Sequence, residues 1–351
     1  MYLANRRRCL LLALGAGASA GIAGLSLFRR GAASDAADDS VRGSVLGNAI
    51  VRTSQALGTK VSITAFHQVP TVAAAAIDQA FAELDLVEDL MSIYRPHSQL
   101  SELNRAGSLT DPHPYLVSVL QHAYALSRKT AGAFDVTVQP LWQVFAQADR
   151  KGRLPQSADV RRVAALVNWR NLEISHGRIR LKTPGAAITL NGIAQGYAAD
   201  RVAAVLRRRG IQHALIDTGE IGAVGGKRPD TPWTVGIQHP RRPDAYLSLT
   251  ALQDRCLSTS GDYGTNFAGG HQYHHIFDPR TGISPTAVAS VSVAARTGLQ
   301  ADALSTAAFV LGPENGLALI QATPGADGLI VLKNGRTLAS RDFPIAKGVK
   351  Q

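Results

Sequence analysis

The strongest constraint on the fold is the way short strands and amphipathic helices alternate along the chain and then end in a hairpin. Near the C-terminus, Asn334-Gly335 separates the apolar runs 329–332 and 336–339. Asn-Gly between two such runs is typical of a tight β-hairpin. Short strands that close in a hairpin do not fit a regular doubly wound parallel sheet. The pattern therefore predicts an α+β fold with a mostly antiparallel sheet and packed helices.

The spacing of apolar residues predicts the individual elements. Residues that recur every three or four positions predict helices, while alternation or a short apolar run predicts a strand. Helices are expected over about 72–91, near 116–127, from about 196 to 210 and from about 301 to 311. Strands are expected at 60–66, 187–190, 214–216 and around 291–293. The length of 351 residues is enough for one large domain or two small ones.

The first 37 residues have the composition of an export signal. Arginines at 6–8 precede a weakly apolar run rich in glycine and alanine, and a small-residue segment follows the arginine pair at 29–30. Residues 7–11 (RRCLL) resemble a twin-arginine signal. An uncleaved membrane anchor is the alternative, because about twenty residues span a bilayer. We expect a signal over 1–37, a linker over 38–50, one globular domain over 51–351 and a periplasmic location, with membrane contact only through an uncleaved signal.

The formal charge of +11 does not indicate a nucleic-acid partner. Residues 1–37 carry a net charge of +4, and the other basic residues are scattered in short groups such as the arginines at 207–209. Scattered charges are typical of a solvated surface or of a general attraction for anions.

Removal of the signal would leave Cys256 as the one cysteine, which excludes an internal disulfide. Its apolar neighbours favour a buried thiol.

Asp302 and Thr306 are the first candidate site. They lie four positions apart on a predicted helix, so they share a face near its N-terminus. A carboxylate and a hydroxyl are hard oxygen ligands, which suit Mg²⁺ better than zinc. A plain helix cap is the alternative, because aspartate at a helix start favours the macrodipole.

Two further motifs have the form of functional loops. Residues 189–200 (TLNGIAQGYAAD) form a strand, a glycine turn and a helix, a junction that suits an anion or brings a backbone carbonyl close to a metal. A plain tight turn is an equal alternative. Residues 271–282 contain three histidines before a turn. A zinc site would require a second Cys/His cluster with ligand spacing, which the sequence does not contain. A histidine in this segment is instead suited to proton transfer.

Taken together and in order, these motifs resemble the conserved blocks of the ApbE family of FAD:protein FMN transferases. The resemblance extends from about Leu57 to Leu319 and implies a T-fold-like α+β architecture. The version of the motif at 189–192 (TLNG) resembles a subgroup associated with maturation of periplasmic nitrous-oxide reductase. The resembling segments are 90–104, 132–137, 191–200, 258–263, 275–282 and 302–306.

The resemblance implies a role for individual residues. Asp302 and Thr306 match side-chain ligands of Mg²⁺, and Gly192 matches the position whose backbone carbonyl completes the metal site. His275 matches a histidine close to the reacting centre, and we expect it to act as the general base with Asp262 behind it. The positions that match the lining of the FAD site are Leu57, Tyr94, Ala133, Phe134, Asp135, Gln195 and Ile276.

The resemblance also implies the reaction. FMN would pass from the substrate FAD to a Thr or Ser hydroxyl of an acceptor protein, with Mg²⁺ as cofactor and AMP as the second product. The acceptor would be a protein such as a membrane respiratory subunit. Hydrolysis of FAD by water is an alternative. A non-catalytic flavin-binding assembly factor for a respiratory complex is another, because Thr189 stands where many members carry aspartate.

Overall fold

The computed structural model describes residues 47–268 and 270–346. The predicted export signal over 1–37 lies outside these residues, as does the linker up to residue 46. The first described strand, Asn48–Ala56, includes the last three residues of the predicted linker over 38–50. Within the described residues, no helix has both the length and the apolarity needed to cross a bilayer.

The elements are numbered in chain order. The helices are α1 (Pro70–Met91), α2 (Gln99–Ala106), α3 (Pro114–Lys129), α4 (Gln139–Asp149), α5 (Ser157–Ala164), α6 (Ala194–Arg208), α7 (Gly298–Leu311) and α8 (Pro313–Gln321). The strands are β1 (Asn48–Ala56), β2 (Thr59–His67), β3 (Ser108–Thr110), β4 (Leu172–Ser175), β5 (Arg178–Leu181), β6 (His213–Asp217), β7 (Ile221–Val224), β8 (Trp233–His239), β9 (Arg242–Leu252), β10 (Cys256–Gly261), β11 (Val288–Ala295), β12 (Asp327–Leu332) and β13 (Thr337–Ala339).

The main sheet has eight strands in the order β1-β2-β6-β7-β10-β11-β12-β13. All seven neighbouring pairs are antiparallel. Strands β3, β5 and β4 form a small second sheet, and β8 pairs with β9 as a separate hairpin. The predicted α+β class and the hairpin at Asn334-Gly335, which joins β12 to β13, are confirmed.

Helices cover one face of the main sheet and the β8–β9 hairpin covers the other. On the helical face, α1, α6 and α7 share one large apolar core with the strands. On the opposite face, Trp233 and Ile237 of the hairpin pack with Leu257 and Ala294. Strand β11 is buried along its whole length because its alternating side chains enter both cores. A polar site therefore has to be built at the ends of the strands.

Helices α6 and α7 contact each other backbone to backbone near their N-termini. The Cβ of an alanine at Gly196 would lie 2.1 Å from the carbonyl oxygen of Gly298. Asp200 of α6 accepts the N–H groups of Gly298 and Leu299 at 2.7 and 2.9 Å, and so caps α7. These contacts fix the relative position of the two helices at the point where the predicted metal ligands lie.

Replacing Gly298 with alanine is expected to destabilise the protein by about 3 kcal/mol, the upper end of the cost of an overpacked core. The new Cβ would lie 2.3 Å from the carbonyl oxygen of Gly196, so one helix backbone has to move. Denaturant unfolding measures the loss. Gly222→Ala is the matched control, because its Cβ would meet neighbours at ordinary distances of 3.5–3.7 Å. Equal stabilities for the two variants would show that the helix crossing is adaptable.

Most of the predicted elements are confirmed, and two differ. The apolar run 187–190 is not a strand. Ile188 exchanges two hydrogen bonds, of 2.7 and 2.8 Å, with the side chain of Asn104 instead of with a neighbouring strand. Helix α7 begins at Gly298 rather than near Ala301, because the hydroxyl of Thr297 accepts the N–H of Gln300 and caps the helix earlier.

Candidate functional site

The three predicted metal ligands meet where the loop before α6 lies against α7. Asp302 and Thr306 are one turn apart on α7. The Oδ2 atom of Asp302 accepts the N–H of Gly196 at 2.9 Å. A Cβ at Gly192 would lie 2.9 Å from the Oγ1 atom of Thr306. Because glycine has no Cβ, the loop backbone at this position can lie close to the Thr306 hydroxyl. The structure therefore brings Gly192, Asp302 and Thr306 together.

The chemistry of these groups fits Mg²⁺. A carboxylate, a hydroxyl and a backbone carbonyl are hard oxygen donors. Asp302 is 3% exposed, and none of the salt bridges in the described part of the chain includes it. Burial raises the pKa of Asp302 to about 7; the N–H of Gly196 opposes this rise and the charge of Asp200 adds to it. A divalent cation would supply the missing positive charge.

No group of three or more His, Cys, Asp and Glu side chains suited to a metal occurs among residues 47–268 and 270–346. The histidines at 271–275 accordingly form no zinc cluster there. Their side chains have separate partners: Nε2 of His274 pairs with the carbonyl oxygen of Pro285 at 3.1 Å, and Nδ1 of His271 pairs with Asn266 at 3.2 Å.

Glu220 is a half-buried acidic residue close to this site that the sequence analysis did not single out. It follows the turn after β6, and its Oε2 atom accepts the N–H of Thr259 at 3.2 Å. Burial raises its pKa well above the usual value, and the charge of Asp302 adds to the rise. A glutamate directly after a glycine turn between two apolar runs was the available signal. Glu220 thus lies close enough to Asp302 for the two carboxyl groups to interact electrostatically.

Two predicted flavin-lining residues, Leu57 and Gln195, lie at the end of the main sheet where strand β6 ends. Because Ser62 pairs with Asp217 at the end of β6, the β1–β2 turn that contains Leu57 projects past that end. Leu57 has a φ of 54°, a left-handed turn conformation. Gln195 lies over the turn that follows β6, since a Cβ at Gly219 would be 2.7 Å from its Nε2 atom.

Tyr94 provides an exposed aromatic ring next to the loop before α6. The residue is 56% exposed. Desolvation raises the pKa of its phenol, and a hydrogen bond with the side chain of Asn191 opposes that rise. Asn191 directly precedes Gly192, so the ring stands close to the predicted metal ligands.

The segment 133–137 lines the other side of that loop. Ala133 and Phe134 are buried, and the carbonyl of Val136 accepts the N–H of Thr189 at 2.8 Å. Asp135 is also buried, and its carboxylate accepts the backbone N–H and the hydroxyl of Thr137 and the N–H of Trp169. The side chain of Asp135 therefore holds the conformation of this segment through internal hydrogen bonds.

His275 lies beside the loop at 264–265. Its Nδ1 atom is 3.3 Å from the carbonyl oxygen of Thr265, and its neighbour Ile276 is buried. When Nδ1–H donates to that carbonyl, Nε2 carries the free lone pair that a general base requires. Burial lowers the pKa of His275, against the opposing effects of the Thr265 carbonyl and the charge of Asp262. His275 is therefore neutral at pH 7.

Asp262 is fully buried and binds two basic side chains. Its two oxygens accept the guanidinium of Arg241 at 2.6 and 2.7 Å, and Nζ of Lys333 is 3.5 Å away. Nδ1 of His275 hydrogen-bonds Thr265 instead of Asp262. Asp262 thus acts on the histidine through its charge, while it ties the β8–β9 hairpin and the β12–β13 turn to the end of β10.

Replacing Asp262 with asparagine is expected to destabilise the protein by about 3 kcal/mol, because it leaves Arg241 and Lys333 without their buried counter-charge. The free energy of unfolding in denaturant measures this loss. Asp159→Asn removes an exposed pair with Arg162 and should cost less than about 1 kcal/mol. A loss at Asp262 as small as that control would show that solvent replaces the carboxylate.

The chain is similar in sequence to a known family of proteins. The model of the ApbE family matches residues 57–330. Proteins named FAD:protein FMN transferase are similar to the chain: that of Treponema pallidum is 30% identical over 313 residues, 82% of this chain and 86% of the relative. That of Vibrio cholerae is 33% identical over 250 residues, 68% of this chain and 74% of the relative.

Solved structures agree in fold. The flavin transferase ApbE from Vibrio cholerae has a TM-score of 0.74 at 27% identity, over 84% of this chain and 98% of the other. The ApbE protein from Thermotoga maritima also has a TM-score of 0.74, at 28% identity, over 84% of this chain and 97% of the other.

Proposed function

The chain belongs to the ApbE family, and we propose that it is an enzyme that transfers FMN from FAD to a Thr or Ser hydroxyl of an acceptor protein and releases AMP. The observation that carries the proposal is the meeting of Gly192 with Thr306 and of Gly196 with Asp302, contacts between segments distant in sequence. In this proposal, helix α7 and the loop before α6 together form a metal site, and the hydroxyl of Thr306 lies 2.9 Å from Ser260 near the end of β10.

Mg²⁺ would be held by the carboxylate of Asp302, the hydroxyl of Thr306 and the carbonyl of Gly192. When bound, it neutralises charge on the pyrophosphate of FAD and assists the departure of AMP. Helix α6 begins at this point, and its N-terminal dipole favours the same anionic group. The exposed ring of Tyr94 offers a flat surface for stacking of the isoalloxazine.

In the proposed reaction, the acceptor hydroxyl oxygen forms a bond to the phosphorus of the FMN half. The bond from that phosphorus to the bridging oxygen breaks, and AMP leaves with the electron pair. The hydroxyl proton passes to Nε2 of His275, which burial keeps neutral and therefore able to accept it. With water in place of the acceptor hydroxyl, the same steps hydrolyse FAD to FMN and AMP.

The deciding experiment incubates the protein with FAD, MgCl₂ and an acceptor domain, followed by intact mass and AMP measurement. AMP release with a mass gain of one FMN on the acceptor supports transfer. AMP and free FMN without a mass gain would make the protein an FAD pyrophosphatase. Bound FAD without AMP would make it a flavin-binding assembly factor, and the enzyme proposal would fail.

The proposed location is the periplasm, with an exported or membrane protein such as a respiratory subunit as the acceptor. A fusion of residues 1–40 to a folded reporter should be exported, because the arginine pattern at 7–11 resembles a twin-arginine signal. Changing both Arg7 and Arg8 to lysine should stop export, measured as periplasmic reporter signal. Changing Arg29 and Arg30 to lysine is the control. Export that survives the change at Arg7 and Arg8 contradicts a twin-arginine route.

A further inference from the structure

A chain of hydroxyl groups connects strand β10 to the proposed metal site. The Oγ atom of Ser260, near the end of β10, lies 2.9 Å from Oγ1 of Thr306 and 2.8 Å from Oγ of Ser305. The hydroxyl of Ser305 in turn donates to the backbone carbonyl oxygen of Asp302 at 2.9 Å. Three hydroxyls and one carbonyl thus form a continuous series.

The direction of this series follows from the carbonyl at its end. A carbonyl oxygen only accepts, so the single hydrogen of Ser305 points to Asp302. Ser305 must then accept the hydrogen of Ser260, and Ser260 is left to accept the hydrogen of Thr306. The order of donation is Thr306 to Ser260 to Ser305 to the Asp302 carbonyl, and bonds aligned in one direction strengthen one another.

This direction determines what Thr306 can offer to a cation. A hydroxyl binds a metal through an oxygen lone pair, and its hydrogen has to point elsewhere. The bond to Ser260 takes up that hydrogen, which leaves the Thr306 lone pairs for the space beside Gly192. We propose that Ser260 is a positioning residue that orients Thr306 as a ligand of Mg²⁺. The inference rests on the proposed metal site and adds a residue to it.

Strand β10 also supplies a matched control. Thr259, the residue before Ser260, makes an equally short hydroxyl bond, 2.8 Å, with Ser292 of β11. Neighbouring residues of a strand point to opposite faces, so this pair faces away from Thr306. Ser292→Ala removes a hydroxyl oxygen from the pair with Thr259, and Ser260→Ala removes the same atom from the pair with Thr306. Only the second pair includes a proposed metal ligand.

The test titrates MgCl₂ into metal-stripped protein by calorimetry. Ser260→Ala should weaken Mg²⁺ binding about 10–100-fold, the usual effect of removing a partner that orients a ligand. Ser292→Ala should change it less than about twofold. Ser260→Cys replaces the strong acceptor with a weak one at similar volume and should weaken binding in the same direction. It serves as the second variant if the alanine protein does not fold.

A double-mutant cycle with Thr306→Ala separates positioning from an independent role. If Ser260 acts through Thr306, adding Ser260→Ala to Thr306→Ala should change Mg²⁺ affinity less than about twofold. Additive losses, or wild-type affinity in Ser260→Ala and Ser260→Cys, would overturn the inference while Thr306→Ala still identified the metal site. Wild-type affinity in Thr306→Ala would overturn the metal site itself, and the role of Ser260 with it.

Discussion

Replacing Asp302 with asparagine is expected to lower the rate of AMP release at least about 10³-fold while the protein remains folded. Several kcal/mol of transition-state stabilisation depend on the bound cation, and the variant lacks the one carboxylate among the three proposed ligands. The fold should persist, because the amide oxygen can still accept the N–H of Gly196. AMP release at saturating MgCl₂, together with the unfolding midpoint, measures both effects.

The stability of the metal-free wild type, compared with that of this variant, should depend on pH in a defined direction. The pKa of Asp302 is about 7 in the folded protein, against about 3.9 in an unfolded chain. A carboxyl with a raised folded pKa makes the fold progressively less stable as pH rises from the lower value to the higher one. Asparagine has no such cost, so at pH 8 the metal-free variant should melt higher than the wild type.

The control for Asp302 is a carboxylate away from the site. Asp327 of β12 pairs with Arg255 at 2.7 Å, so Asp327→Asn should lower stability but leave AMP release within about twofold of wild type at temperatures where the protein is folded. Equal AMP release by Asp302→Asn and wild-type protein would remove Asp302 from the list of essential ligands.

Replacing His275 with asparagine is expected to slow transfer by about 10²–10⁴-fold, the usual contribution of a general base. Asparagine keeps hydrogen-bonding groups beside Thr265 but cannot take up the acceptor proton, so FAD should still bind. Single-turnover transfer at saturating FAD gives the rate, and titration of FAD by flavin fluorescence gives the affinity. Weak binding with a normal saturated rate would defeat the assignment as base.

The pH profile gives an independent check on His275. Burial lowers its pKa from the usual value near 6.5, and only the neutral ring accepts a proton. The wild-type rate should therefore rise with pH below about 6.5 and stay level from pH 7 to 8, and the variant should lose this rise. His271→Asn is the control, because its exposed side chain lies in the same loop. A wild-type rate that kept rising above pH 7 would point to a different base.

The long helices and central strands were predictable because burial on one side imposes a period on the sequence. The period at 72–91 and the alternation at 60–66 correspond to α1 and β2. The run 187–190 was wrongly predicted as a strand, because the backbone N–H and C=O of Ile188 hydrogen-bond the side chain of Asn104 from a distant segment. The β8–β9 hairpin was missed because its turn, Pro240-Arg241, lacks the Asn-Gly signal that marked the later hairpin.

The sequence predicts which residues belong to the site better than it predicts which hydrogen bonds those residues form. The family resemblance supplied Asp302, Thr306 and Gly192, and the structure brings them together. The bond from Asp262 to Arg241 joins residues 21 positions apart, and the bond from Ser260 to Thr306 joins residues 46 positions apart. Local spacing carries no information about such pairs, because the sheet order alone decides which strand ends meet.

The helix crossing at Gly196 and Gly298 has a consequence for the newly made protein. The donor Gly196 and the acceptor Asp302 are 106 residues apart, and Asp302 comes from the last quarter of the chain. Until the ribosome has added that part, the proposed metal site lacks Asp302 and Thr306. The contact between Gly196 and Asp302 therefore forms only after helix α7 has been synthesised and has packed against α6.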